Sequence, residues 1–349
     1  MLWKFVMASY ASWKIRNFHI VYTKSKVEDP RSAMRIPIIS GSGRSGTTWV
    51  LDVLAKANDM RTAFEPLHPV VLKKISDYSN RFIRDGETHD DLKRYLTNIF
   101  SGDFRNIWID YRVRPDRLVP ALENISGKDK RRVFLARWKK LFRQSLMYRR
   151  NIGKPVITKF IRANLMYLWL LENFNARIVH IMRHPGAVIE SKLRLGGDDW
   201  NPTSEMSRYL QQKPVKTWLS GYMDCDEIDD LSSAGQFALI WCIENCIPMS
   251  VTDDRVLTVH FETLAAHDQS LWEQVVNHLG LAKMPTKTQL IKPSQQSRPE
   301  DKSTTYDFKM TYRWRSSLSG KDLNEIDRVL ACFGVGNYSV DLTQPLAEN

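Results

Sequence analysis

The hydrophobic pattern switches between two periods along the chain. Ile36-Pro37-Ile38-Ile39 is a short continuous apolar run entered through a proline, the pattern of a strand buried on both faces. Trp49-Val50-Leu51-Asp52-Val53-Leu54-Ala55 then places apolar side chains at helical spacing. Residues 154–159, 176–182 and 255–260 predict three further strands. Residues 165–173, the stretch from Pro185 through Arg194, 237–251 and 318–333 predict helices, and Pro185 stands where a first helical turn tolerates proline. Strands alternating with helices give an expected α/β fold with a central parallel β-sheet flanked by helices.

Outside this core the pattern changes. Residues 1–35 interleave Leu2, Trp3, Phe5, Val6, Trp13 and Ile15 with lysines. This basic, aromatic segment reads as a helix packed on its own domain, or as one lying on anionic lipid. The main domain is expected over 36–340, with 68–155 a helical insertion, and 341–349 a tail. Residues 293–310 are polar and rich in breakers, so a mobile loop is expected there. No internal repeat is evident.

Composition narrows the class. With 349 residues, 43% hydrophobic and 11% aromatic, the chain can bury a core, which excludes a disordered class. Four cysteines exclude a disulfide scaffold and fit a reducing compartment. No apolar run approaches the roughly 18 residues of a membrane span, so a cytoplasmic location is expected, with membrane association or the Golgi as alternatives. The net charge is +12. Residues 1–26 carry +5 and residues 128–150 carry +9, so the rest of the chain nets −2. Any membrane or polyanion partner is therefore a question about two segments.

The strongest candidate chemistry follows the first strand. Gly41-Ser42-Gly43-Arg44-Ser45-Gly46-Thr47-Thr48 spaces its outer glycines five apart, as a phosphate loop does, and a helix follows. Such a loop can turn successive N–H groups onto an anion, helped by the helix N-terminus. The expected domain is thus single and P-loop-like. Thr47 stands where a nucleotide-hydrolysing loop keeps its lysine, and the positive charge has moved to Arg44. That weakens a kinase reading, which needs the lysine and magnesium.

Arg44-Ser45-Gly46-Thr47-Thr48-Trp49 resembles the 5′-phosphosulfate loop of the sulfotransferases that use 3′-phosphoadenosine-5′-phosphosulfate (PAPS). A second motif of that family is a strand ending in Arg with Ser eight residues later. The run Ile178 to Ser191, with Arg183 at the strand's end, is similar to it. Phe64-Glu65-Pro66 resembles a Glu-Pro motif of carbohydrate-type members. Tyr312-Arg313-Trp314-Arg315, a helix and Phe333-Gly334 resemble the family's closing segment.

The resemblance implies PAPS as co-substrate and no metal. It implies Arg44, Ser45, Gly46, Thr47, Thr48 and Trp49 at the 5′ end, with Trp49 stacked on adenine or else in the core. Arg183 and Ser191 would hold the 3′-phosphate, with Arg313, Trp314 and Arg315 closing over the nucleotide. Lys159 would stabilise the leaving group, with Arg162 as its near competitor. Glu65 is the first candidate base, with a pKa expected to be raised by its apolar neighbours, and His68 the second. His180 is expected in the core, and Cys242 and Cys246 as packing residues. The implied partner is a hydroxyl acceptor, on a glycan or glycolipid, met within 68–155 and acidic if the 128–150 charge serves it. Peripheral contact with an anionic membrane is compatible, and nucleic acid is not expected. The other readings are a nucleotide kinase and a basic binding module without catalysis.

Overall fold

The computed structural model describes residues 35–71, 73–112, 139, 151–292, 308–335 and 338. The expectations for residues 1–34, for 128–150 except the exposed Lys139, for 293–307 and for the tail lie outside the described residues. Five strands form one parallel sheet: β1 (Ile36–Gly41), β2 (Arg61–Phe64), β3 (Val156–Lys159), β4 (Ala176–Met182) and β5 (Val256–His260), in the order β2-β3-β1-β4-β5. The helices used below are α1 (Thr47–Ala57), α2 (Asp90–Phe100), α3 (Ile107–Tyr111), α4 (Tyr167–Asn173), α5 (Pro185–Leu195), α6 (Pro202–Leu210), α7 (Ser233–Met249), α8 (Phe261–Ala265), α9 (Gln269–Leu279) and α10 (Gly320–Cys332).

β1, β3 and β4 are almost wholly buried, which is why their sequences read as apolar runs and not as alternating ones. The four strands expected from sequence are present, with ends shifted by a residue or two. β2 was not expected. Its sequence, Arg-Thr-Ala-Phe, is short and opens on a charge. Arg61 is nevertheless 3% exposed. Its guanidinium meets Asp110 of α3 at 2.7 Å and the carbonyls of Gly102 and Phe104 at 2.7 and 2.6 Å. A buried arginine is tolerable when every face is bonded, and partners some forty residues away are invisible to local pattern.

One core cluster joins the sheet to α1, α2 and α9, and a second surrounds α7. α7 is buried on nearly all sides, as expected of a helix hydrophobic all round. His180 lies in the core at 0% exposure, and burial pushes its pKa down to about 4. Cys242 is buried and Cys246 half-buried. Among the described residues no helix is long and apolar enough to cross a membrane.

At the start of α5 the backbone comes close to Trp314. A Cβ on Gly186 would stand 2.4 Å from the indole ring. Gly186→Ala should therefore destabilise by about 1–3 kcal/mol, despite alanine's better helix propensity. Urea unfolding checks this, and unchanged stability would mean the indole moves aside freely.

Candidate active site

The strand order reverses direction at β1, with β3 on one side and β4 on the other. In open parallel sheets, ligand crevices form at such switch points, at the strands' C-terminal ends. Here the glycine loop leaves β1 at Gly41, which is paired with Ile181 of β4. Arg183 follows two residues on. The two motifs therefore meet because neighbouring strands end at one level.

The contacts are direct. Arg183 Nη1 donates to the Arg44 carbonyl at 3.0 Å, and Arg44 Nε donates to Ser191 Oγ at 2.9 Å. The Arg44 side chain thus reaches the expected 3′ residue Ser191, linking the 5′ and 3′ motifs. Arg44 has φ 75°, an uncommon left-handed conformation for a side-chain-bearing residue. Its pKa falls to about 10 through burial and the nearby Arg183 and Arg194 cations.

Gly46 has φ 83°, and a Cβ there would stand 2.2 Å from the Phe261 ring, so this position requires glycine. It is the N-cap of α1 and offers no side-chain cap, so the N-terminal end of the helix faces the glycine loop. The Ser45 amide is engaged inside the loop, on the Ser42 carbonyl at 3.2 Å. Ser45 Oγ and Arg183 Nε are buried without a hydrogen-bond partner among the described residues.

On the other side of β1, Phe64 pairs in register with Lys159. Glu65 follows with φ 44°, its N–H on the Lys159 carbonyl at 3.0 Å. This turn returns its carboxylate over the strand ends. Oε1 accepts from Lys159 Nζ at 2.6 Å and Oε2 from Arg162 Nη1 at 2.7 Å. Lys159 Nζ also donates to Thr48 Oγ1 at 3.1 Å, joining this cluster to the glycine loop. The cluster bears out neither an apolar setting for Glu65 nor its expected raised pKa. Burial alone would raise it, but Lys159, Arg162 and His68 outweigh burial and hold it at about 2. Burial lowers Lys159 to about 8 against the opposing pull of Glu65. Lys159 and Arg162, weighed as competitors, share one carboxylate.

His68 is buried, and its Nδ1 accepts the Val70 N–H at 3.1 Å. The Nδ1 lone pair is therefore taken up by the backbone and is not available to a base.

Two tryptophans turn inward, Trp49 taking the core alternative and Trp314 likewise buried. Trp49, 5% exposed, meets Phe261 and Trp272 edge to face and donates to the Lys292 carbonyl. It points from α1 into the packing against α9. Trp314, 2% exposed, stacks on His184 at 4.3 Å. It braces the β4–α5 turn from inside. Arg313 and Arg315 on either side of it are exposed. The sequence also gave no sign of a largely apolar cavity of about 760 Å³ lined by Phe82, Leu165, Leu168, Trp218 and Ile247, with Arg84 and Lys213 also on its wall. None of the expected site residues lines it. Among the described residues no group of His, Cys, Asp or Glu is arranged to hold a metal ion.

Residues 38–285 match the sequence model of the Sulfotransferase family, and the chain belongs to that family. It is thus a transferase of sulfuryl groups, which sets aside the kinase and binding-module readings. No curated protein matches the chain. Among solved structures, the sulfotransferase domain of the Synechococcus PCC 7002 olefin synthase is similar at 18% identity and TM-score 0.42, covering 90% of this chain and 98% of its own. The sulfotransferase domain from the curacin biosynthetic pathway is similar at 15% identity and TM-score 0.42, covering 88% and 99%. Retinol dehydratase, solved with androsterone and the inactive cofactor PAP, is similar at 13% identity and TM-score 0.34, covering 87% and 81%.

Glu65→Gln removes the anion between two buried cations and should cost about 3 kcal/mol at neutral pH. The folded pKa lies below the unfolded one, so the carboxylate's contribution is complete above about pH 4.5 and lost as pH falls toward 2. Wild type and variant should therefore converge in stability through that acid range. Parallel curves in pH-dependent urea unfolding would contradict the ion-pair account.

Proposed function

We propose that this sulfotransferase moves the sulfuryl group of PAPS to a hydroxyl acceptor on a carbohydrate or glycolipid, releasing adenosine 3′,5′-bisphosphate (PAP). The observation carrying this reading is the convergence of Arg44, Arg183 and Ser191 at the switch point, beside the Lys159–Glu65–Arg162 cluster. Buried polar groups without partners, such as Ser45 Oγ and Arg183 Nε, suit an anionic ligand whose oxygens would satisfy them. When bound, PAPS supplies the activated sulfuryl group.

The chain's own residues then bind, orient and move a proton. The loop amides and Ser45 hold the 5′ end. Arg183 and Ser191 hold the 3′-phosphate, with guanidinium geometry suited to two phosphate oxygens. Lys159 is largely protonated at neutral pH and places its charge at the ends of β1 and β3, where a leaving oxygen gains charge. A donor anion offers Lys159 a second negative partner and loosens its hold on Glu65. Glu65 Oε1 is then the acceptor for the hydroxyl proton, while Arg162 keeps the carboxylate in place. The carbohydrate assignment rests on the Phe64-Glu65-Pro66 motif and the Lys159/Arg162 pair. The reading places the enzyme in the cytoplasm, at a membrane surface if the acceptor is a glycolipid.

Titration calorimetry with PAP tests the donor. The chain should bind PAP without added metal, and Arg183→Ala should weaken PAP by at least about tenfold more than its 3′-dephospho analogue. Equal losses would detach Arg183 from the 3′-phosphate. For the acceptor, neutralising Arg131, Arg132, Lys139 and Lys140 together should weaken an acidic acceptor and flatten its salt dependence, with PAP affinity unchanged. Unaltered acceptor KM at low salt would make that stretch a solvated face only.

A further inference from the structure

β5 ends on His260, which pairs in register with Met182 of β4. The residues that follow, Phe261 and Arg183, therefore leave the sheet side by side. None of the steps above uses Phe261 or its neighbour Glu262, yet both are buried against the donor crevice. The Arg183 guanidinium lies over the Phe261 ring, 4.8 Å from its centre. The same ring fills the space beside Gly46, where an added Cβ would stand 2.2 Å from it. It also meets Trp49 edge to face at 5.8 Å. One aromatic ring thus touches both the glycine loop and the arginine read as holding the 3′-phosphate.

Glu262 works on the backbone. Its Oε1 accepts the His184 N–H at 2.9 Å, and its Oε2 accepts from Tyr338 OH at 3.3 Å. Tyr338 OH also stands 2.8 Å from His260 Nδ1. The Arg183 carbonyl accepts from Trp241 Nε1 at 3.0 Å. The carbonyl of Arg183 and the N–H of His184 belong to one peptide unit. Past the strand end that unit has left the ladder, and both of its polar groups still need partners. Side chains from α7 and α8 supply them. The direction in which Arg183 leaves the backbone is thereby fixed at both ends of the peptide that carries it.

We propose that Phe261 and Glu262 are positioning residues for the donor, and that together they aim Arg183 at the 3′-phosphate. Glu262 fixes the peptide that carries the arginine. Phe261 supports the guanidinium and holds it level with the glycine loop. This rests on the PAPS reading. A long arginine side chain free in solvent gives up rotamer freedom when it grips a ligand. A guanidinium already seated on a ring, with Nη1 on the Arg44 carbonyl at 3.0 Å, gives up less. The aromatic support adds no competing anion, so the buried Nε, without a partner among the described residues, stays available to phosphate oxygen.

The test is titration calorimetry of the full chain with PAP and with its 3′-dephospho analogue, adenosine 5′-monophosphate. Glu262→Ala takes the acceptor from the His184 N–H and should weaken PAP by about tenfold more than the analogue. Glu262→Gln keeps an oxygen for that N–H and should recover most of the loss. Phe261→Leu keeps an apolar side chain but removes the aromatic face, and should weaken PAP about fivefold more than the analogue. In turnover, Glu262→Ala and Phe261→Leu should raise the KM for PAPS and leave kcat within about twofold. A loss of folded protein alone would lower kcat and leave both the KM and the preference for PAP unchanged. If Glu262→Ala does not fold, Phe261→Leu decides the proposal by itself. Equal losses for the two nucleotides would overturn it, as would a glutamine variant no better than alanine. Wild type that binds the two nucleotides equally would instead overturn the donor reading. Arg183→Ala losing the preference while both other sites keep it would overturn this proposal alone.

Discussion

Electrostatic self-repulsion at the end of a parallel sheet governs how this molecule is built. Arg44, Arg183 and Arg194 lie near one another on one side of β1, and Lys159 and Arg162 lie on the other. Cations held this closely in a partly buried crevice raise each other's energy unless anions intervene. The protein places Glu65 between the second pair and Glu190 near the first. Burial, with Arg183 and Arg194 close by, lowers the pKa of Arg44. Cations gathered in this way would suit the anionic donor proposed above.

Backbone geometry serves the same end. Arg44 and Glu65 both adopt positive φ, a conformation that costs about 1 kcal/mol or more for residues with a Cβ. Each turn returns a charged side chain across a strand end. The cost is borne by rigid surroundings: β1 and β4 pair through six residues, and α1 and α9 interlock through Trp49 and Trp272. Those indoles, and Trp314 against His184 and Gly186, hold the frame in which the loop and Arg183 meet. Aromatic residues inside ligand motifs therefore act here as structure beneath the site.

The division between legible and hidden features follows the range of each interaction. Local pattern sufficed for β1, β3 and β4, because strands buried on both faces must be apolar throughout, and for the half-buried β5. It failed for β2, where Arg61 is buried only because Asp110 and two carbonyls from a distant turn close around it. The glycine loop and the Arg183–Ser191 spacing were legible as motifs because their residues lie close together along the chain. The state of Glu65 was not. Phe64, Pro66 and Leu67 suggested an apolar setting, whereas Lys159 and Arg162, some ninety residues on, decide its charge.

The sequence by itself determined the family, the class of fold and the glycine-rich strand-to-helix loop, since these depend on residue order over a few turns. Only the tertiary structure decided that Arg44 reaches Ser191, that Lys159 and Arg162 share Glu65, and that Trp49 and Trp314 face inward. It also decided that two carboxyls share Lys192. Charge state and side-chain direction depend on neighbours brought together across the sheet. The +12 total reported by composition therefore said little about the site, where a few placed charges and their spacing set the field.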